Sequence, residues 1–115
     1  MSQYLLQVSY TPEAWSALVR EPQDRSKVID AVIRNLGGSM ERVWFSFGEH
    51  DLISIVEMPD GVSAAAFSMA ISAGGACRNV QTTPLLTAQE GIEAMKKAAT
   101  CGYTPVTQKT KVAAG

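Results

Sequence analysis

Residues Val43 to Met58, VWFSFGEHDLISIVEM, decide the fold. Val43, Phe45 and Phe47 share one face of a first strand; Leu52, Ser54, Val56 and Met58 share one face of a second. A repeat of two sends alternate side chains to opposite sides of a sheet, so the stretch is expected to be a β-hairpin. Its polar tip is Gly48-Glu49-His50-Asp51. Gly48 is expected there because a tight hairpin tip often needs a positive φ, which glycine takes at no steric cost. The chain's single histidine, His50, sits at that tip beside Asp51.

Outward from the hairpin, the N-terminal side holds a strand and a long helical stretch. Tyr4 to Tyr10 alternates Tyr4, Leu6, Val8 and Tyr10 against Leu5, Gln7 and Ser9. Thr11-Pro12-Glu13 then carries a hydroxyl N-cap, a proline at the first helical position and an acid in the first turn. Trp15, Leu18 and Val19 supply an apolar stripe, interrupted by Pro22, where a break or a kink is expected. The helix resumes through Val28, Ile29, Val32, Ile33 and Leu36 and ends at Gly37-Gly38.

On the C-terminal side, Asp60 is a good N-cap for a helix over Val62 to Ala73, closed by Gly74-Gly75. Its alanines and serines permit close approach, so burial on most sides is expected. Ala76 to Thr83 fits a fourth strand in which Cys77, Asn79 and Gln81 oppose Arg78, Val80 and Thr82, and its polarity suits a sheet edge. Thr87-Ala88-Gln89-Glu90 is a capping box opening a last helix to Ala99. One domain over residues 1–99 is expected, followed by a polar, mobile tail over 100–115.

The order β-α-β-β-α-β plus a terminal helix gives an α+β class and the ferredoxin-like, split βαβ arrangement. Four antiparallel strands with helices on one face leave the other face bare. Leu5, Gln7, Ser9, Trp44, Ser46, Ile53 and Ile55 are expected on it, or the complementary set if the register is reversed. A bare face with large apolar groups calls for a partner, most simply a second copy as a two-fold dimer, or a higher oligomer of dimers.

Composition bounds the function. A chain of 115 residues with 46% hydrophobic and 18% charged residues is expected to be globular. A net charge of −1 gives no electrostatic case for nucleic acid or an anionic membrane. Val62 to Ala73, the longest apolar stretch, is too short to span a bilayer. Cys77 and Cys101 make neither a disulfide framework nor a metal-ligand spacing. With no signal peptide, the expected location is the cytoplasm. No metal and no cofactor is expected.

Taken together, YLLQVSYTPE, the double glycine at 37–38, FSFGEHDL, the Ala/Ser-rich second helix and TTPLLTAQE resemble the GYD domain family. The resemblance covers about residues 3 to 98 and implies a ferredoxin-like fold of the dimeric α/β-barrel type. It implies no catalytic residue. The name-giving Gly-x-Tyr-Asp stands here as Gly48-Glu49-His50-Asp51, with histidine in place of tyrosine.

Two function classes follow. In one, a cavity between the sheet and the partner subunit holds a small molecule, with Gln7, Ser9, Trp44, Ser46, His50 and Asp51 as its binding residues. In the other, the apolar face serves oligomerisation or sensing alone. His50 and Asp51 form a base and an orienting carboxylate only if they touch, and neighbours on a strand point apart. The structural reading is therefore preferred: His50 as a half-buried aromatic, Asp51 fixing the turn through backbone N–H bonds. Cys77 has no second histidine to activate it and is read as a small apolar residue.

Overall fold

A computed structural model describes residues 1–107. The chain forms two compact units, Met1–Leu85 and Leu86–Gly115. The first unit runs β1 (Ser2–Tyr10), α1 (Pro12–Arg20), α2 (Ser26–Asn35), β2 (Ser39–Phe45), β3 (Leu52–Met58), α3 (Gly61–Ala73) and β4 (Cys77–Pro84). The four strands form one antiparallel sheet in the order β2-β3-β1-β4, the ferredoxin-like arrangement. β4 lies at an edge, as its polar sequence predicts.

Alternation decides what each strand buries. On β1, Tyr4, Leu6, Val8 and Tyr10 are buried; on β3, Leu52, Ser54, Val56 and Met58 are buried. They meet Ile29 and Ile33 of α2 and Ala64 and Phe67 of α3 in a single core. Each large side chain fully buried there stabilises the fold by roughly 1.5–3 kcal/mol. Ser54 is the polar exception. Its hydroxyl is satisfied, because Ser54 Oγ donates to the Arg42 carbonyl at 2.6 Å.

The helix starts follow their caps. Thr11 accepts from the Ala14 N–H and Asp60 from the Ser63 N–H. Pro22 separates α1 from α2 rather than kinking one helix, and the Asp24 carboxylate takes the Ser26 N–H at 2.9 Å. Gly37 ends α2 with φ +86°, as a left-handed cap requires. Gly38 is needed for space: a Cβ there would lie 2.3 Å from the Glu57 carbonyl oxygen and 2.6 Å from Met58 Sδ.

Three expectations are corrected. α3 is not buried on most sides: only Ala64 and Phe67 are buried, while Val62 and Met69 are exposed. A helix lying on one sheet face can bury only one stripe, whatever the size of its side chains. Cys77 does not share a face with Asn79 and Gln81. It pairs with Tyr10, while Asn79 pairs with Ser9, so Arg78 is the extra residue of a bulge that turns Cys77 to the helix side. Phe47 lies beyond the end of β2 and is fully exposed.

The second unit holds α4 (Ala88–Ala99), opened by the expected capping box. Glu90 N–H donates to Thr87 Oγ1 at 3.1 Å, and Thr87 N–H donates to Glu90 Oε1 at 2.9 Å. Residues 101–107 carry no helix or strand. The remainder of the expected tail, 108–115, lies outside the described residues. No described helix is long and apolar enough to cross a membrane.

Candidate functional site

Six residues, 46–51, join β2 to β3, and their backbone closes on itself through the Ser46 N–H to the Asp51 carbonyl at 2.9 Å. Ser46 Oγ adds a bond to the His50 carbonyl at 2.6 Å. Gly48 does not take a positive φ, because a loop of this length turns without the left-handed residue a two-residue tip demands.

Asp51 anchors this loop to the rest of the first unit. Its N–H donates to the Val8 carbonyl at 2.8 Å. Its Oδ2 accepts from the Tyr10 N–H at 2.8 Å and from the Trp15 indole N–H at 3.1 Å. The carboxylate therefore fixes the loop through a backbone N–H, as expected, but through one 41 residues away rather than one in its own turn. Trp15 is held in turn edge-on to Tyr10, with ring centroids 5.4 Å apart. Ser9 completes the anchorage: only 2% exposed, it donates to the Glu49 carbonyl at 2.9 Å.

His50 is half-buried at this loop. Its Nδ1 is shielded from solvent and meets no hydrogen-bond partner among the described residues. A shielded polar atom without a partner carries a desolvation cost that a ligand or partner group would relieve. His50 and Asp51 do not act as a pair here, since the carboxylate is spent on Tyr10 and Trp15.

The helix-free face of the sheet lies beside the loop. Cross-strand pairs Leu5 with Ile55, Gln7 with Ile53, and Trp44 with Ile53 place these five residues of the first expected set together. Its other two members are corrected: Ser9 is buried against the loop and Ser46 lies beyond the end of β2. None of the five is buried, and Trp44 is 42% exposed, with the Arg42 guanidinium carbon 5.2 Å from its ring centroid. Of the six expected binding residues, Gln7 and Trp44 stand on this face. Ser9, Ser46, His50 and Asp51 gather at the loop.

The opposite, helix-covered side holds a cavity of about 320 Å³ that touches none of those six residues. Val8, Ile29, Phe67 and Ile71 form apolar walls, with Tyr10, Gln23, Arg25 and Cys77 as polar members. Burial pushes the Tyr10 phenol above its usual range; Cys77 adds to the rise, Arg25 opposes it and Asp51 adds again. Burial likewise pushes the Cys77 thiol up, against a smaller pull from Arg25. Both groups are thereby held neutral, and Cys77 is the inert, half-buried thiol that its surroundings dictate. A wider groove opens beside it, where Trp15, Asp51, Arg20 and Arg78 meet. No group of three or more candidate metal ligands occurs among the described residues.

Comparison with known families bears on the loop directly. The model of the GYD domain matches residues 4–95. The chain belongs to the GYD domain family. Among curated proteins, no relative matches it. In GYD terms the name-giving segment is the anchored loop itself, Gly48-Glu49-His50-Asp51. Its aspartate ties three segments together, and its tyrosine position is held by His50.

Sequence reasoning missed two participants. Trp15 appears in the sequence as one member of an apolar stripe, yet its indole N–H is a partner of Asp51. Arg25 shows no periodicity at all, because the groups around it come from other elements.

Proposed function

We propose that this GYD domain protein is a cytoplasmic homodimer, or an oligomer of such dimers, that binds a small molecule between its open sheet face and the partner subunit. The apolar cluster of Leu5, Ile53, Ile55 and Trp44 on that face carries the reading, because such a surface is stabilised by being covered. Gln7, Trp44 and His50 supply the contacts to the ligand, since their polar side-chain groups make no hydrogen bond among the described residues. Ser9, Ser46 and Asp51 hold the loop that presents His50. A sheet-to-sheet interface of standard size would bury roughly 1,200–2,000 Å² in total.

A second reading, an assembly or sensing module with no bound small molecule, is favoured by one observation. Three of the six polar candidates are already committed to holding the loop. Native mass spectrometry of freshly purified full chain separates the two. A dimer carrying a stoichiometric excess mass supports the ligand reading, and a dimer of bare mass selects the assembly module. A monomer at micromolar concentration contradicts both.

A further inference from the structure

The cavity on the helix-covered side of the sheet is the second feature built like a binding site, and it is independent of the open face. Its volume, about 320 Å³, stands at the lower end of the range for small-molecule sites, roughly 300–1,000 Å³. Its walls are the buried or half-buried side chains of Val8, Ile29, Phe67 and Ile71. Such walls suit the apolar body of a ligand and offer it no orienting group.

Orientation comes from Arg25. This residue stands at the start of α2 and is itself half-buried. Among the described residues no carboxylate lies within ion-pair distance of it: the one ion pair joins Arg34 to Asp30. Its side chain donates instead to the neutral Gln23 Oε1 at 3.3 Å, a long bond. Its guanidinium is thus a cation on the lining of an apolar cavity with no carboxylate partner among the described residues, open to an incoming anion. Its planar fork of donors matches a carboxylate in two parallel bonds. The adjacent Tyr10 and Cys77 bring no negative charge at neutral pH, so they do not compete for the cation.

We propose that this cavity binds a small monocarboxylate with an apolar ring or short chain, the carboxylate on Arg25 and the apolar body against Ile29, Phe67 and Ile71. A single cation without a second basic group in the lining selects a monoanion over a phosphate dianion. The limited volume admits one ring rather than a nucleotide or an acyl chain of lipid length.

The test is a methyl-NMR titration of the full chain with benzoate and, separately, with its neutral isostere benzamide. Saturable benzoate shifts at the Ile29 and Ile71 methyl groups are expected, with benzamide at least about tenfold weaker, the scale of a lost charge-assisted bond. Arg25→Gln should bring benzoate down to the benzamide level. Ala70→Phe, which places a ring in the cavity from an exposed position on its wall, should abolish both. Equal affinities for benzoate and benzamide would overturn the proposal, as would shifts confined to Ile53 and Ile55 on the opposite face. If Arg25→Gln proves unfolded by its methyl spectrum, the benzoate-to-benzamide ratio on the wild-type chain decides alone.

Discussion

Leu5 and Leu6 are neighbours on β1, yet Leu6 is 0% exposed under the helices while Leu5 lies half-buried on the opposite side. The same division runs through β3, where Leu52, Ser54, Val56 and Met58 are buried and Ile53 and Ile55 are not. Both faces carry aliphatic side chains, Leu6, Leu52 and Val56 on one and Leu5, Ile53 and Ile55 on the other, so hydrophobicity alone does not distinguish them. What differs is the cover: three helices on one side, nothing from the same unit on the other. A sheet that needs only one core would be expected to carry polar groups on its wet face. Here Gln7, Arg42, Gln81 and Thr83 share that face with a cluster of Leu5, Ile53, Ile55 and Trp44, and the cluster is the reason for placing a partner there.

The comparison is broken most severely by truncating each face in turn. Leu6→Ala should cost about 2–5 kcal/mol in urea unfolding, because the core cannot fully collapse around the lost atoms. Leu5→Ala should cost the isolated subunit much less, within the ~1 kcal/mol typical of point changes. Equal losses would mean that both faces are folded core. Asp51→Ala comes next. It leaves the Tyr10 N–H and the Trp15 indole N–H without their acceptor, and a cost of about 1–3 kcal/mol is expected from the same unfolding measurement.

The smallest effect concerns the helices that make the cover. Hydrogen bonds from Ser26 to Asp24 and from Ser63 to Asp60 hold both carboxyls below the usual aspartate range. Folded values below unfolded ones mean that this contribution is present above about pH 4 and is lost as the pH falls through the folded values. Stability followed from neutral pH downward should therefore decline in that acid window. Asp60→Ala should be less stable at neutral pH and lose less on acidification. A decline of equal size in the variant would contradict the capping account.

Much of the fold was legible because its signals are local. Period-two alternation announced β1 and β3, and Thr11, Asp60 and the Thr87–Glu90 box announced three helix starts. The errors share a different cause. The bulge at Arg78 depends on how β4 meets β1, so no pattern within β4 could reveal that Cys77 turns toward the helices. The small residues of α3 left its buried stripe unmarked, since alanine on either side looks alike in sequence. At the candidate site, the importance of Asp51 was legible, but its partners Tyr10 and Trp15 were not. They lie about forty residues upstream and reach it only through tertiary contact.

Sedimentation velocity of the wild-type chain beside Ile53→Lys tests the central claim most directly. Ile53 sits between Gln7 and Trp44 at the middle of the open face, and a lysine there puts a charge into the proposed interface without touching the helix-side core. The account predicts a dimer or larger oligomer for the wild type at micromolar concentration. It predicts a folded monomer for Ile53→Lys. A wild type that sediments as a monomer, or an Ile53→Lys chain that sediments like the wild-type oligomer, would contradict the assignment of this face as the interface.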